Sequence, residues 1–325
     1  MRSLAGLARR VGRRLQRLAE RRERPRPSLV LTAGGEVSEL LDVWVAPALG
    51  LAIDTQGRVF GATADLAHAP RAWRSGGDVR FPMPADAPTL AAGVLFMDGR
   101  ATRNYAGFLL DALPKLLTLA PTAVLAPPLT PWQTDLIALA GVQPPIEIGA
   151  PLVRIERLTF APAAPQLDAV RAAILSALDI PAAPPRRLYV SGRDSLKAVL
   201  DDELTLETIM AARGYRIIRP ETSSPRELIA AFRDAERVVA ATGTLLANLL
   251  FCAPGTRVIE LRPPGETSAW VEDLARQASL SWKPYAAEGP VETAEVLLDI
   301  DLRPASAFVW RLDLPAFLTF LDGEG

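Results

Sequence analysis

The fold is decided by a stretch that begins with RLYVSGRDS at residues 187–195 and ends with RVVAATGTLLANLLF at 237–251 and PGTRVIEL at 254–261. Strand, loop and helix patterns alternate along it. The predicted strands are 187–191, 215–218, 237–241 and 256–261, and the predicted helices are 202–212, 226–232 and 245–251. Because apolar strands alternate with helices, we expect an α/β fold with a parallel sheet covered on both faces.

Polar residues follow the ends of these strands. Ligands of parallel sheets bind outside the carboxyl ends of the strands, which is where Arg193, the loop 242–244 and Glu260 fall. A glycine allows close backbone approach, and free amides at a helix start favour a diphosphate. A guanidinium clamps a phosphate through two nitrogens. Glu260 lies near the end of a buried strand. A carboxylate at this position either accepts hydrogen bonds from ribose hydroxyls or faces solvent.

Each of these residues also has a structural interpretation. The loop 242–244 could serve only as the N-cap of the following helix. Arg193 could pair with Asp194 or Glu203 instead of a ligand. Lys197 would add a second positive charge at the site, although a solvated lysine is the simpler interpretation.

A second motif, NYAGFLLDALPKL at 104–116, predicts a helix in the first half of the chain. Asn104 either caps this helix or contributes to a site, and a spacing of seven residues places Asp111 on the same helical face. Asp111 lies among leucines, so it faces a cleft or is paired. At a cleft it would be a general base for a hydroxyl, and otherwise it would anchor a neighbouring loop. Lys115, one turn further on, can pair with it.

Taken in order, these motifs resemble the family-61 glycosyltransferases. The similarity runs from Leu-Tyr-Val-Ser-x-Arg-Asp through the glycine loop to Val-Ile-Glu-Leu at 258–261, and the motif at 104–116 resembles an upstream block of that family. The two blocks span most of residues 94–261. The resemblance implies a donor side made of Arg193, Lys197, Thr242, Gly243, Thr244, Asn248 and Glu260, an acceptor side made of Asn104, Tyr105 and Lys115, and Asp111 as the catalytic base.

The resemblance also implies an architecture and a reaction. Two Rossmann-like domains would face each other across a cleft, the GT-B arrangement. A sugar would pass with inversion from a nucleotide-sugar to a glycan or lipid-linked hydroxyl, without a metal or other cofactor. The implied setting is the assembly of bacterial capsule or exopolysaccharide.

The chain departs from the family pattern at two places. The family usually has a histidine where Gly107 stands and a His-Gly-Ala-Gly-Leu-Thr-Asn loop where this chain has residues 242–248, so Leu245 replaces the second glycine. These departures favour an alternative, a non-catalytic relative that binds sugar, nucleotide or a partner transferase. A dehydrogenase is disfavoured because no Gly-x-Gly-x-x-Gly opens a strand–helix turn.

The charge is unevenly distributed. Residues 1–27 contain ten arginines and two glutamates, whereas the rest of the chain has 26 basic and 35 acidic residues. Leu4, Leu7, Val11, Leu15 and Leu18 recur at helical spacing. The segment is therefore predicted to be an amphipathic basic helix that lies on an anionic membrane surface or docks on the acidic body of the protein. A nucleic-acid arm is disfavoured, since no aromatic residue interleaves the arginines.

The remaining signals concern organisation and location. We expect an acceptor-side domain at 28–180 with a hairpin formed by 51–54 and 58–60, a linker at 181–185, and a nucleotide-sugar domain at 186–325 whose C-terminal helix, 308–321, packs back across the first domain. Neither a signal peptide nor a run of ~18 apolar residues is apparent. The predicted location is cytoplasmic, at the inner membrane face. The single Cys252 and the single His68 are expected to be structural.

Overall fold

A computed structural model describes most of the chain: residues 29–31, 37–55, 57, 74–75, 78–79, 87–97, 100–118, 124–160, 167–184, 186–193, 198–293 and 308–324. The basic segment 1–27, His68, Asp194 and Lys197 lie outside these residues. Two compact units divide the chain. The first takes residues from 1–103, 118–129 and 145–164, and the second takes residues from 104–117, 130–144 and 165–325.

The first unit is built on a mixed sheet of seven strands. Its strands are β1 (Leu29–Leu31), β2 (Val37–Ala46), β3 (Leu51–Ile53), β6 (Thr89–Leu95), β7 (Val124–Ala126), β8 (Ile146–Glu147) and β9 (Val153–Phe160), and a separate short hairpin contains β4 (Arg74–Ser75) and β5 (Asp78–Val79). The order is β1-β2-β9-β6-β7-β8, with β3 beside β2. β2 runs antiparallel to β9, whereas β6, β7 and β8 continue the sheet in parallel. The sheet of the first unit is therefore mixed and not wholly parallel.

Strand β3, the first strand of the predicted hairpin, pairs with β2 in the structure. Leu51–Ile53 aligns antiparallel with residues 44–46. A 3-10 turn, Pro47–Leu49, reverses the chain between them, and Gly50 follows it with φ 59, a left-handed conformation that glycine adopts without strain. Residues 58–60, the predicted partner of this strand, lie outside the described residues.

The second unit contains the predicted parallel sheet. Its strands are β10 (Arg186–Val190), β12 (Arg216–Ile218), β13 (Ala235–Ala241), β14 (Arg257–Arg262) and β15 (Ser281–Ala286). They are ordered β12-β10-β13-β14-β15, and every neighbouring pair is parallel. Counted along the chain, this is the doubly wound order 2-1-3-4-5, in which the connections reverse direction between the first and third strands. That switch point lies between β10 and β13.

Helices cover both faces of this sheet. They are α1 (105–118), α2 (Pro131–Leu139), α3 (Leu167–Ala177), α4 (Glu203–Ala212), α5 (Pro225–Arg233), α6 (Trp270–Gln277) and α7 (Leu314–Gly323), with 3-10 helices at Pro220–Thr222 and Thr244–Phe251. Local signals fix their starts. For example, Ser224 and Glu227 form a reciprocal capping box around Pro225 at the start of α5. Among the described residues, none of these helices is long and apolar enough to cross a membrane.

The 3-10 helix Thr244–Phe251 explains a correction to the predicted domain boundary. Its residues 246–251 are all buried, and it contacts α1, α3, α5 and α6. Such an apolar segment must be covered on several sides. The helices α1, α2 and α3, which the sequence analysis placed in the domain 28–180, therefore group with the second unit.

The C-terminal segment also differs from its prediction. Phe308–Trp310 forms strand β17, which pairs in parallel with β11 (Ala198–Leu200) and antiparallel with β16 (Glu292–Thr293). The helix α7 begins only after Asp313, whose carboxylate accepts from the amide of Ala316. Phe317 and Leu321 of α7 are buried in a core with residues of β10, β13 and β14. The expectation that 308–321 is one helix packed across the first domain is therefore wrong, since α7 packs on the sheet of its own unit.

Candidate functional site

Arg193 lies at the switch point of the parallel sheet. It follows the carboxyl end of β10, and its amide donates to Ser191 Oγ at 3.1 Å. The side chain is exposed and forms no ion pair with any residue that the structure describes. The alternative pairing with Glu203 is not seen, because that carboxylate accepts hydrogen bonds from Tyr189 and Gly192 instead. Arg193 thus presents an exposed guanidinium at the edge where ligands of such sheets bind.

The loop 242–244 follows β13, on the other side of the switch point. The Thr242 hydroxyl donates to Glu260 Oε1 at 2.8 Å and to the Leu261 carbonyl at 3.3 Å, so it is directed at β14 rather than at solvent. Gly243 and Thr244 are exposed. No side chain caps the 3-10 helix that begins here, so the purely capping interpretation of this loop does not hold. Because the Thr242 amide donates to the Leu261 carbonyl at 2.9 Å, an anion here would meet the amides of Gly243 and Thr244 and the Thr244 side chain.

Glu260 is buried, with 1% of its surface exposed, so the solvent-facing alternative is wrong. Its Oε1 accepts from Thr242, and its Oε2 accepts from Trp282 Nε1 at 3.1 Å. Arg262 lies 3.7 Å from Oε2 and 5.9 Å from the centre of the Trp282 ring. Burial raises the pKa of Glu260, while Thr242, Arg262 and Trp282 oppose that shift. The carboxylate joins β13, β14 and β15, and ribose binding by it remains a prediction.

This carboxylate should make stability depend on pH in a defined direction. A folded-state pKa above the ordinary value of 4.5 gives a stabilising contribution that is complete below that value and is lost as pH rises through the raised pKa. Glu260→Gln removes the titration. We expect the free energy of unfolding of the wild type, relative to this variant, to increase as pH falls from about 7.5 to about 5. Urea unfolding at both pH values measures it, and a constant difference would contradict the assignment.

Tyr105 joins the two sequence motifs. Its hydroxyl donates to Asn248 Oδ1 at 2.9 Å, and Asn248 is fully buried and donates through Nδ2 to the Leu245 carbonyl at 3.0 Å. The Tyr105 and Phe108 rings each lie 5.4 Å from Trp132 of α2. Burial raises the pKa of Tyr105, so its hydroxyl keeps its proton at neutral pH. Both predicted site residues, Tyr105 and Asn248, thus support the loop 242–244 from within the second unit.

The helix α1 is not a regular α-helix. Asn104 caps it by accepting from the Gly107 amide at 2.9 Å, as one interpretation predicted. Residues Phe108–Ala112 form a π-helical segment. A π turn adds a residue and rotates the following residues by about 100° relative to those before it. Asp111 lies inside this π segment, so the regular helical spacing on which its shared face with Asn104 was based does not apply there. Asp111 is exposed, and Lys115 is half-buried.

Two buried carboxylates beside the β10 loop were not predicted as site residues. Tyr189 donates to Glu203 Oε1 at 2.5 Å, and Arg219 binds Glu207 through two nitrogens, the shorter distance being 2.5 Å. Burial raises the pKa of Glu203, whereas the hydrogen bonds from Arg219 lower that of Glu207. In the sequence, two acids four residues apart on a predicted helix are as typical of a solvated helix face as of a buried site. Their burial depends on the neighbouring strands, which no local pattern reveals.

One comparison with known proteins covers most of the residues described above. A family model described as Glycosyltransferase 61 matches residues 105–259, a range that includes most of both motifs. The search of curated proteins gives no match. Among solved structures, a mutant of a flavo di-iron protein from Thermotoga maritima aligns over 56% of this chain at 10% identity with a TM-score of 0.24. The chain covers 47% of that protein. Within the described residues, no group of three or more His, Cys, Asp or Glu side chains is arranged to hold a metal ion.

Proposed function

We propose that the chain is a glycosyltransferase of family 61, whose family model matches residues 105–259, and that it transfers a sugar from a nucleotide-sugar donor to an acceptor hydroxyl. The observation that supports this most directly is the exposed Arg193 beside the loop 242–244 at the sheet's switch point. A nucleoside diphosphate needs a cation and amide donors, and Arg193 with the amides of the exposed Gly243 and Thr244 would supply them.

The proposed reaction is a direct displacement. An oxygen of the acceptor attacks the anomeric carbon while the bond from that carbon to the diphosphate oxygen breaks, so the configuration inverts. The leaving diphosphate gains charge, which the Arg193 guanidinium, the amides of Gly243 and Thr244 and Lys197 would stabilise without a metal. Asp111 would take the proton from the acceptor hydroxyl. The proposal keeps the GT-B arrangement, although the helix that contains Asp111 groups with the second unit and not with the expected acceptor-side domain. The proposed acceptor is a glycan or lipid-linked sugar of a capsule or exopolysaccharide.

The test is the binding of nucleoside diphosphates. We expect one of UDP, GDP, CDP or ADP to bind the wild type, and Arg193→Ala to weaken that binding by about 10- to 100-fold, because a charge-assisted contact to phosphate is lost. Calorimetric titration gives the affinity. The matched control is Arg276→Ala, which removes an equally exposed arginine at the end of α6, where it pairs with Glu272 and Asp273. Equal affinity in wild type and Arg193→Ala, or no binding by the wild type, would sink the assignment.

A second candidate function is a non-catalytic relative that binds sugar, nucleotide or a partner transferase. The observation that favours it is the inward orientation of the Thr242 hydroxyl, which is engaged by Glu260 and leaves the loop with one hydroxyl fewer for a ligand. The two candidates differ in turnover. An enzyme releases free nucleotide from the donor that it binds, and Asp111→Asn slows that release without weakening binding. If the wild type and Asp111→Asn both bind the donor and neither releases free nucleotide, the second candidate is favoured.

We further propose that the arginine-rich segment 1–27 attaches the protein to anionic membranes. Each arginine close to such a surface contributes on the order of 1 kcal/mol, and screening weakens the attraction as salt increases. We expect the full chain to sediment with anionic but not neutral vesicles, and a chain starting at Ser28 to remain in the supernatant. Equal partitioning of the two chains would instead favour docking of the segment on the acidic remainder of the protein.

A further inference from the structure

The loop that presents Arg193 is held by a buried carboxylate. Glu203, the first residue of α4, accepts at one oxygen, Oε1, from the Tyr189 hydroxyl at 2.5 Å and from the Gly192 amide at 3.1 Å. Only 5% of the Glu203 surface is exposed. Its second oxygen, Oε2, has no hydrogen-bond partner among the residues that the structure describes. One side chain thus connects strand β10 to the amide directly before Arg193.

This arrangement is costly, which argues that it does more than fill space. A buried carboxylate loses its hydration, and an oxygen without a donor is not compensated for that loss. Burial is the main reason that the pKa of Glu203 is raised, and the negative charge of Glu207 raises it further. The start of α4 offsets part of the cost, because the positive end of the helix dipole favours an anion there.

Within the part of the chain that the structure describes, the acids beside Arg193 are bound by other groups. Glu207, one turn further along α4, is bound by Arg219 through two nitrogens. The Arg193 guanidinium lies within electrostatic range of Glu207 but forms no hydrogen bond to it among the described residues. The Ser191 hydroxyl lies beside both carboxylates and accepts from the Arg193 amide. The two acids are therefore engaged by Tyr189, the Gly192 amide and Arg219.

We propose that Glu203 is a positioning residue of the donor site, which fixes the backbone at Gly192 so that Arg193 is presented to the diphosphate. The inference rests on the proposed function, because Arg193 is assumed to contact the donor. Glu203 itself touches no substrate. Its effect on binding passes through the hydrogen bond to the Gly192 amide.

Two substitutions separate this role from general packing. Glu203→Gln keeps a carbonyl oxygen that can accept from both donors, whereas Glu203→Ala removes the acceptor. Leu206→Ala is the matched control, since it truncates a buried side chain of the same helix and leaves the contact to Gly192 in place. Hydrogen exchange of the Gly192 amide reports the positioning directly, and titration with the nucleoside diphosphate that binds the wild type reports its consequence.

We expect Glu203→Ala to speed exchange at Gly192 and to weaken nucleotide binding by about tenfold. Glu203→Gln should restore most of both properties, and Leu206→Ala should leave nucleotide binding close to the wild type. Unchanged exchange at Gly192 in Glu203→Ala overturns the positioning role whatever the nucleotide does. Faster exchange with unchanged binding also overturns it, while the proposed function stands if Arg193→Ala still weakens binding. A wild type that binds none of the four nucleotides overturns both.

Discussion

Asn248→Ala is expected to lower the free energy of unfolding by about 3 kcal/mol. The side chain is fully buried and makes two hydrogen bonds, one from the Tyr105 hydroxyl and one to the Leu245 carbonyl. Alanine leaves the partly buried Tyr105 hydroxyl and Leu245 carbonyl without this bond, and it also leaves a small cavity. Urea unfolding monitored by tryptophan fluorescence measures the change. A loss below about 1 kcal/mol would show that the two contacts are not maintained in solution.

A double-mutant cycle with Tyr105→Phe isolates the bond between the two motifs. Phenylalanine keeps the ring contact with Trp132, whose centre lies 5.4 Å from that of Tyr105, and removes only the hydroxyl. If the hydroxyl acts through Asn248, the two substitutions should be non-additive, with a coupling of about 1 kcal/mol. Additive effects would mean that Tyr105 and Asn248 stabilise the protein independently.

Phe317→Ala should be more destabilising, by about 3–5 kcal/mol. Phe317 is fully buried in the core formed with β10, β13 and β14, and its ring lies 5.2 Å from that of Tyr285. Removing it leaves a cavity between α7 and the sheet that neighbouring side chains fill only partly. The same unfolding measurement applies.

Phe320 provides the matched control for this core. Its ring lies 5.1 Å from that of Tyr285, but the residue is only half-buried. Phe320→Ala should therefore cost clearly less, about 1–2 kcal/mol, because less apolar surface leaves water on folding at this position. Equal losses for the two variants would contradict the packing of α7 described above.

The parallel sheet and the residues that follow the carboxyl ends of its strands were predictable because their signals are local. Each buried strand of the second unit contains adjacent apolar residues, such as Val238 and Val239, and a loop residue follows it directly. The direction of the chain then decides which edge Arg193 and the loop 242–244 share. The family match over residues 105–259 confirms the resemblance to family-61 glycosyltransferases, on which the predicted activity was based.

Other features depend on partners distant in the sequence and were missed. The pattern at 308–321 combines a β-strand with a helix, and only pairing with β11 shows that Phe308–Trp310 is extended. The π segment of α1 has no simple sequence signature. Likewise, the burial of Glu203 follows from its contact with Tyr189, fourteen residues away. The expected boundary at 181–185 was placed by its prolines, although α1 and α3 pack on the 3-10 helix far downstream.

This arrangement of the chain has a consequence for how the protein forms. The path leaves the second unit after residue 117, returns at 130, leaves again after 144 and returns at 165. During synthesis, α1 is complete long before its partner exists, since Tyr105 and Asn248 are separated by 143 positions. Contacts of such long range slow folding, and apolar surface stays uncovered until they form. No single cut separates the two units, and a fragment beginning at Arg186 would contain the whole parallel sheet but leave its 3-10 helix without α1 and α3.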